Sequence, residues 1–312
     1  MRTKIKNFIR KKLSKFVTPK DNFNYEYLIE KYVSQGLFNY LNFDFELMKS
    51  KTLLYVSKMK FGKEVGVYKY SQTTSEPNIY SSAYAVMIKS LYNEIDSLSY
   101  NDKKKWLSYF DSFQNKDDGL FYDETLQNEL FDDCDWWGAR HLALNILPAY
   151  NALEGKPKYK FCFLSKYYYH LYLILMYDGI ELPYKENVID WVLKTQNIIG
   201  GYGVNINSSA CEDIDSADLL LRFSNFSDYQ KNKIQYSLQK AFIWILSNQN
   251  EDGGFVFERN KSFIYGHPQM SSGINESSMF ATWFRTLSIA YLCKYFNFNN
   301  EFRINKTPGY EF

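Results

Sequence analysis

Only four cysteines, three histidines and seven prolines occur in the 312 residues. The cysteines (Cys134, Cys162, Cys211 and Cys293) are far apart, with no Cys-x-x-Cys pair. That spacing excludes a zinc ribbon or a disulfide scaffold and fits free thiols in a reducing compartment. There is no glycine-rich phosphate loop, no dinucleotide fingerprint and no Ser-His-Asp pattern. Nor is there a membrane-length apolar run; the best, Tyr167 to Tyr177, is about eleven residues and contains His170. The N-terminus has bases but no uninterrupted apolar core, so no secretory signal is read there and a cytoplasmic protein is expected.

Charge of one sign is scarce in total, at +2, but it is unevenly placed. Arg2, Lys4, Lys6, Arg10, Lys11, Lys12, Lys15 and Lys20 all precede the first acid, Asp21, which leaves 29 bases against 35 acids in the rest. Within residues 1–20, Ile5, Phe8, Ile9, Leu13, Phe16 and Val17 share one helical face opposite the bases. This is the pattern of a helix lying on an anionic membrane surface. A frayed, solubilising terminus is the plainer alternative. The acidic body argues against nucleic acid as a partner.

What the chain does have is repetition. Gln114-Asn115-Lys116-Asp117-Asp118-Gly119-Leu120, Gln196-Asn197-Ile198-Ile199-Gly200-Gly201-Tyr202 and Gln249-Asn250-Glu251-Asp252-Gly253-Gly254-Phe255 each read Gln-Asn, three residues, Gly, then a large apolar residue. Helical apolar patterns flank them over 81–92, 105–113, 136–153, 188–195, 215–223, 230–247 and 276–296. Period-two signals are few, Phe255-Val256-Phe257 being the best. The fold expected is all-α, one array of helical hairpins over residues 21–312 that buries its core by stacking neighbours. In the turn, Gln and Asn can satisfy the carbonyls left open at a helix end and Gly can turn left-handed, so Gln114, Gln196 and Gln249 are structural. The 28 Tyr and 25 Phe fit AT-rich coding or a cavity lined for stacking.

The Gln-Asn-x-x-Gly-Gly-aromatic turn after a Trp244-bearing helix resembles the repeat of squalene cyclases and protein prenyltransferase β-subunits, over roughly residues 80–296. The segments from Cys211, from Tyr265 and from Asn275 also resemble a branch of bacterial toroids often associated with envelope-polysaccharide genes. The resemblance implies an α/α toroid: inner helices around a central cavity, outer helices around them. Parallel inner helices would bring their acidic starts (Asp132, Asp133 and Asp135; Glu212, Asp213 and Asp215; Glu276) to one mouth, although an acid there is often only a cap.

Asp213-Ile214-Asp215-Ser216-Ala217 resembles the Asp-rich motif of class II terpene cyclases, with Asp215 as proton donor and Asp213 or Glu212 raising its proton affinity. One Asp of that motif is replaced by Ser216, and its Thr is missing. Asp132 and Cys134 resemble two zinc ligands of the prenyltransferases, but the segment 276–286 has no histidine for the third, so neither metal nor cofactor is expected. A third reading is carbohydrate chemistry, with Trp136, Trp137 and Trp283 stacking on sugars and Tyr265, His267, Arg285 and a carboxylate moving protons and neutralising charge. His141 reads as a packed or capping residue. The leading expectation is a membrane-peripheral enzyme using acid chemistry on an isoprenoid or lipid-linked glycan. Its rivals are a lyase or hydrolase and a non-catalytic binding toroid.

Overall fold

Asn78, Ser209 and Ser278 each start a helix by accepting a hydrogen bond from the amide three residues on, at 2.9, 3.2 and 3.3 Å. A computed structural model describes residues 28–126, 139–160, 185–298 and 302–305. Within them the chain is mostly helical, with strands of only two residues each. The helices are α1 (Phe45–Lys58), α2 (Ile79–Leu91), α3 (Tyr100–Asp111), α4 (Ala139–Ala152), α5 (Lys185–Thr195), α6 (Ala210–Ser224), α7 (Lys231–Leu246) and α8 (Met279–Tyr295). Residues 1–20, and Asp132, Asp133, Cys134, Asp135, Trp136 and Trp137 with them, lie outside the described residues. No described helix is long and apolar enough to cross a membrane.

Two kinds of helix alternate. The amphipathic helix α3 buries little beyond Trp106 and Phe110, and α1 buries only the stripe Met48, Thr52, Tyr55 and Val56. By contrast α2 is buried at every position but Lys89, and α8 from Met279 to Cys293, as helices apolar on all sides must be. The buried helices pack on one another: α4 on α2, α2 on α8, and α8 on α6.

The expected boundaries shift for a local reason. The helix expected at Asp215 begins at Ala210, because Ser209 and Glu212 form a reciprocal capping box one turn earlier. The one expected at Glu276 begins at Met279: Ser277 and Ser278 (β4) pair antiparallel with Val256 and Phe255 (β1), and Ser278 is the cap. A second short pair joins β2 (Phe263–Ile264) to β3 (Ser271–Ser272).

Each turn signature closes in the same way. The side-chain amide of Gln114, Gln196 or Gln249 donates back to the carbonyl of Gly119, Gly200 or Gly253 at 2.7, 2.9 and 3.0 Å. The same amide reaches a neighbouring segment: Tyr159 O at 2.7 Å, Ser237 O of α7 at 2.8 Å and Thr52 Oγ1 of α1 at 3.1 Å. The Gln residues bridge to Phe121, Tyr202 and Phe255, all fully buried. The first copy is thus one residue longer than the spacing suggests, and Phe121 rather than Leu120 fills the aromatic position. Gly201 and Gly254 are required by close packing, since a Cβ would collide with Ser208 and Trp244 at the first, and with Ser277 and Tyr55 at the second.

A further unit among the described residues, first in chain order, lacks the Gln-Asn signature. After α1, Lys60 bridges to Tyr68, and Tyr68 stacks on Trp106 of α3 with centroids 5.6 Å apart. Aligned on their aromatics, the first, third and fourth units share two further bonds. The amides of Tyr68, Tyr202 and Phe255 donate to the residue four past each helix cap: Ser82, Asp213 and Thr282, at 3.3, 3.0 and 3.0 Å. The first amide of α2, α6 and α8 bonds the residue two past the next unit's aromatic: Ile79 to Asp123 (2.8 Å), Ala210 to Phe257 O (3.0 Å) and Met279 to Tyr70 O (2.9 Å). In the last of these the fourth unit is held by the first.

Candidate active site

Positions two and six past a helix cap lie one turn apart on one face. On α2 they are Tyr80 and Tyr84, on α6 Cys211 and Asp215, and on α8 Phe280 and Phe284. The first turn of α4 supplies His141, with Asn145 one turn on. These first turns converge. The His141 ring lies between two phenols, with Nδ1 2.7 Å from the Tyr80 hydroxyl and Nε2 3.1 Å from that of Tyr265. Tyr265 stacks on Phe280 at 4.3 Å, Phe280 meets Phe284 at 4.4 Å, and Tyr84 stacks on Trp283 at 5.2 Å.

Tyr265 comes from a loop. The segment from Phe255 to Ser278 occupies a place where unit three runs only from Tyr202 to Ser209, and it folds into the β2–β3 hairpin. Insertions in a repeat array collect on one face, commonly the binding face. Hydrogen bonds hold this one to the loop over 71–77 and to the cap of α2: Ser71 Oγ to Ser271 O (2.8 Å), the Glu76 amide to Gln269 Oε1 (3.1 Å) and Asn78 Nδ2 to Gln269 O (3.1 Å).

Electrostatics sort the site. Burial first, then neighbouring groups, push the Tyr80 and Tyr265 phenols well above their ordinary value of 10.0. Both are therefore neutral donors and acceptors at physiological pH. Burial, followed by the nearby Asp215 charge, likewise keeps the Cys211 thiol protonated. A neutral imidazole donates through one nitrogen and accepts through the other. His141 can then pass a proton from one phenol toward the other, an arrangement suited to general acid–base chemistry.

Of the residues expected from sequence, Asp215, Tyr265 and Trp283 meet here. Asp215 is half-buried on the second turn of α6. Asp213, two residues away, is fully buried elsewhere. Its carboxylate accepts from the Tyr202 amide (3.0 Å), Ser208 Oγ (2.7 Å), Trp244 Nε1 (2.9 Å) and the Arg285 guanidinium. Arg285 is fully buried too, and also donates to Ser208 O (2.9 Å) and Phe257 O (3.1 Å). Burial raises the Asp213 carboxyl, while Arg285, Ser208 and the Tyr202 amide pull it back down.

Three other candidates have positions outside this cluster. Glu212 accepts from the Ser209 amide at 2.8 Å in the capping box. Glu276 accepts from the amide and hydroxyl of Thr73, at 2.9 and 2.8 Å, and ties that loop to Gly273. His267 caps the short turn Pro268–Met270, with Nδ1 accepting from the Gln269 amide at 3.1 Å. Of the zinc set that the resemblance implies, Asp132 and Cys134 lie outside the described residues, and α8 has no histidine to be the third ligand.

His267 carries a pH prediction. Burial lowers its pKa, against a smaller upward pull from Asp123. A folded pKa below the unfolded ~6.5 means a stability contribution that is complete above pH 6.5 and lost as pH falls through the folded value. The opening equilibrium across residues 265–271, obtained from amide exchange corrected for its intrinsic pH dependence, is expected to rise as pH falls below 6.5. His267→Asn, which keeps a capping oxygen but does not titrate, is expected to flatten that rise. An equal rise in both proteins would remove the assignment.

His141, Tyr80 and Tyr84 are the site residues that sequence reasoning passed over. Their signal was present as Tyr80/Tyr84 and His141/Asn145 pairs near helix starts, the spacing of Cys211/Asp215, but it emerges only once the helices are aligned on their caps. No protein-family model matches the chain, and no curated protein shows significant similarity to it.

Proposed function

We propose that the chain is an α/α toroid of the terpenoid-cyclase and prenyltransferase type whose central site performs acid–base chemistry on a glycan. The cyclic order of contacts, with Gln249 returning to α1 and Met279 bonded to Tyr70, supports the ring. The single observation that carries the chemistry is the imidazole of His141 held between the hydroxyls of Tyr80 and Tyr265. His141 takes the proton of the attacking or eliminated group, Tyr265 supplies one to the leaving oxygen, and Asp215 sets the local charge. Trp283 and Phe280 shape the wall.

Cyclisation of an isoprenoid is the second reading, and the stacked rings of Tyr84, Trp283, Phe280 and Phe284 favour it. It requires Asp215 to be held as a carboxylic acid by an apolar site or a carboxylate neighbour. Of the two neighbours expected for that task, Asp213 is committed to Arg285, Trp244, Tyr202 and Ser208 and Glu212 to the Ser209 amide, so the glycan reading has more support. Incubation with envelope glycans and with polyprenyl diphosphates, followed by mass spectrometry, separates the two. Shortened or unsaturated oligosaccharides are expected; cyclised polyprene with untouched glycan would overturn the proposal.

Residues 1–20 bring the enzyme to an anionic leaflet, where a lipid-linked glycan resides. Reversing the charge of Lys11, Lys12 and Lys15 is expected to abolish flotation with phosphatidylglycerol vesicles. Undiminished flotation would remove that role.

A further inference from the structure

The phenols around the site are not equivalent. Tyr80 and Tyr265 are bonded to His141, and farther out Tyr202 shares a 2.9 Å bond with Ser237. Tyr84 is different. The Tyr84 side chain is fully buried, its ring is fixed by Trp283 and by Phe280 at 5.5 Å, and its hydroxyl has no hydrogen-bond partner among the described residues. A buried donor left unmade destabilises a fold, whereas phenylalanine would fill the same space without that cost.

The hydroxyl's surroundings define what could complete it. Its ionisable neighbours are Tyr265, Tyr80, Tyr70 and Cys211, phenols and a thiol that burial keeps uncharged. The buried guanidinium of Arg285 is engaged with Asp213 and two carbonyls. An anionic ligand would therefore meet no available positive charge among these groups. A neutral hydroxyl or ring oxygen meets a donor already oriented by stacking.

We propose that Tyr84 is a specificity-determining residue of the site, its hydroxyl reserved for an oxygen of an uncharged sugar unit. The proposal rests on the glycan reading and narrows it to neutral substrates. The sugar oxygen then makes the bond that Tyr84 lacks in the free protein.

The test is Tyr84→Phe in the full chain, with Tyr202→Phe as control. Thermal melts are read first, then binding of cellohexaose, chitohexaose and hexagalacturonate by tryptophan fluorescence. Tyr84→Phe is expected to raise the melting temperature, because an unpaired buried hydroxyl is removed, while Tyr202→Phe lowers it. The same Tyr84→Phe protein is expected to lose affinity for a neutral hexamer by on the order of tenfold, the loss of about one hydrogen bond. A lowered melting temperature would mean that an internal partner, such as a buried water, already satisfies the hydroxyl, and the proposal falls. Unchanged affinity, or tighter binding of hexagalacturonate than of either neutral hexamer, overturns it equally. Wild-type protein that binds none of the hexamers sinks the glycan reading itself, an outcome distinct from binding that ignores the substitution.

Discussion

Arg285→Met lowers the melting temperature by about 10 °C. Breaking a fully buried ion pair by removing one partner costs about 3–5 kcal/mol, and at this chain length each kcal/mol corresponds to roughly 2–4 °C or less. The loss is large because Asp213 would remain buried as a carboxylate, still hydrogen-bonded to Tyr202, Ser208 and Trp244 but without a countercharge. The repeat offers its own remedy. At the corresponding position the first and fourth units hold their turn aromatic with the neutral hydroxyls of Ser82 and Thr282. The double variant Asp213→Thr, Arg285→Met is therefore expected to recover most of the lost stability.

The pH dependence carries a definite sign. In Arg285→Met the folded pKa of Asp213 rises further above its unfolded value near 4. A raised carboxyl favours the folded state at low pH and costs stability as pH climbs through the window between the two values. The deficit relative to wild type should thus be smallest near pH 4 and largest at pH 7. Melts of the three proteins across that range decide the matter. A single variant as stable as wild type, or a double variant no better than the single, would show that the pair does not hold α6 to α8.

His141→Gln removes turnover while leaving substrate binding nearly intact. Glutamine can hydrogen-bond to Tyr80 and Tyr265 but cannot take up and release a proton. A positioned acid–base residue contributes about 10²–10⁴-fold to rate, so kcat on the glycan processed by wild type should fall by that factor with little change in KM. The pH–rate profile should also lose the limb that reports the imidazole. His267→Asn serves as the comparison, because His267 caps a turn and is not part of the His141 cluster. Equal kcat values for His141→Gln and wild type would remove His141 from the mechanism.

Much of the architecture was legible because helices advertise themselves locally. Apolar spacing exposed the segments around α2, α3, α7 and α8, and the Gln-Asn turns announced a repeating unit. The unit built on α1 escaped notice because its turn has Lys60 where the others have Gln, and it is recognised through Tyr68, Ser82 and Tyr70 only once their partners are visible. Helix starts shifted by up to five residues, since the capping serines Ser209 and Ser278 carry no apolar signal.

The site was less legible, and the acidic pair on α6 shows why. Asp213 and Asp215 read as one cluster, two residues apart. At about 100° per residue they point about 200° apart around the helix axis, so one chain segment sends them into different surroundings. Asp213 enters the packed seam with Arg285 and Trp244, while Asp215 lies on the face of Cys211 with Tyr265 nearby. Sequence alone determined helical class, the turn chemistry and the presence of carboxylates at a helix start, because those depend on neighbours a few positions away. Which carboxylate became structural, and which phenols enclosed His141, was decided only by tertiary packing, because those contacts join residues 61 to 124 positions apart along the chain.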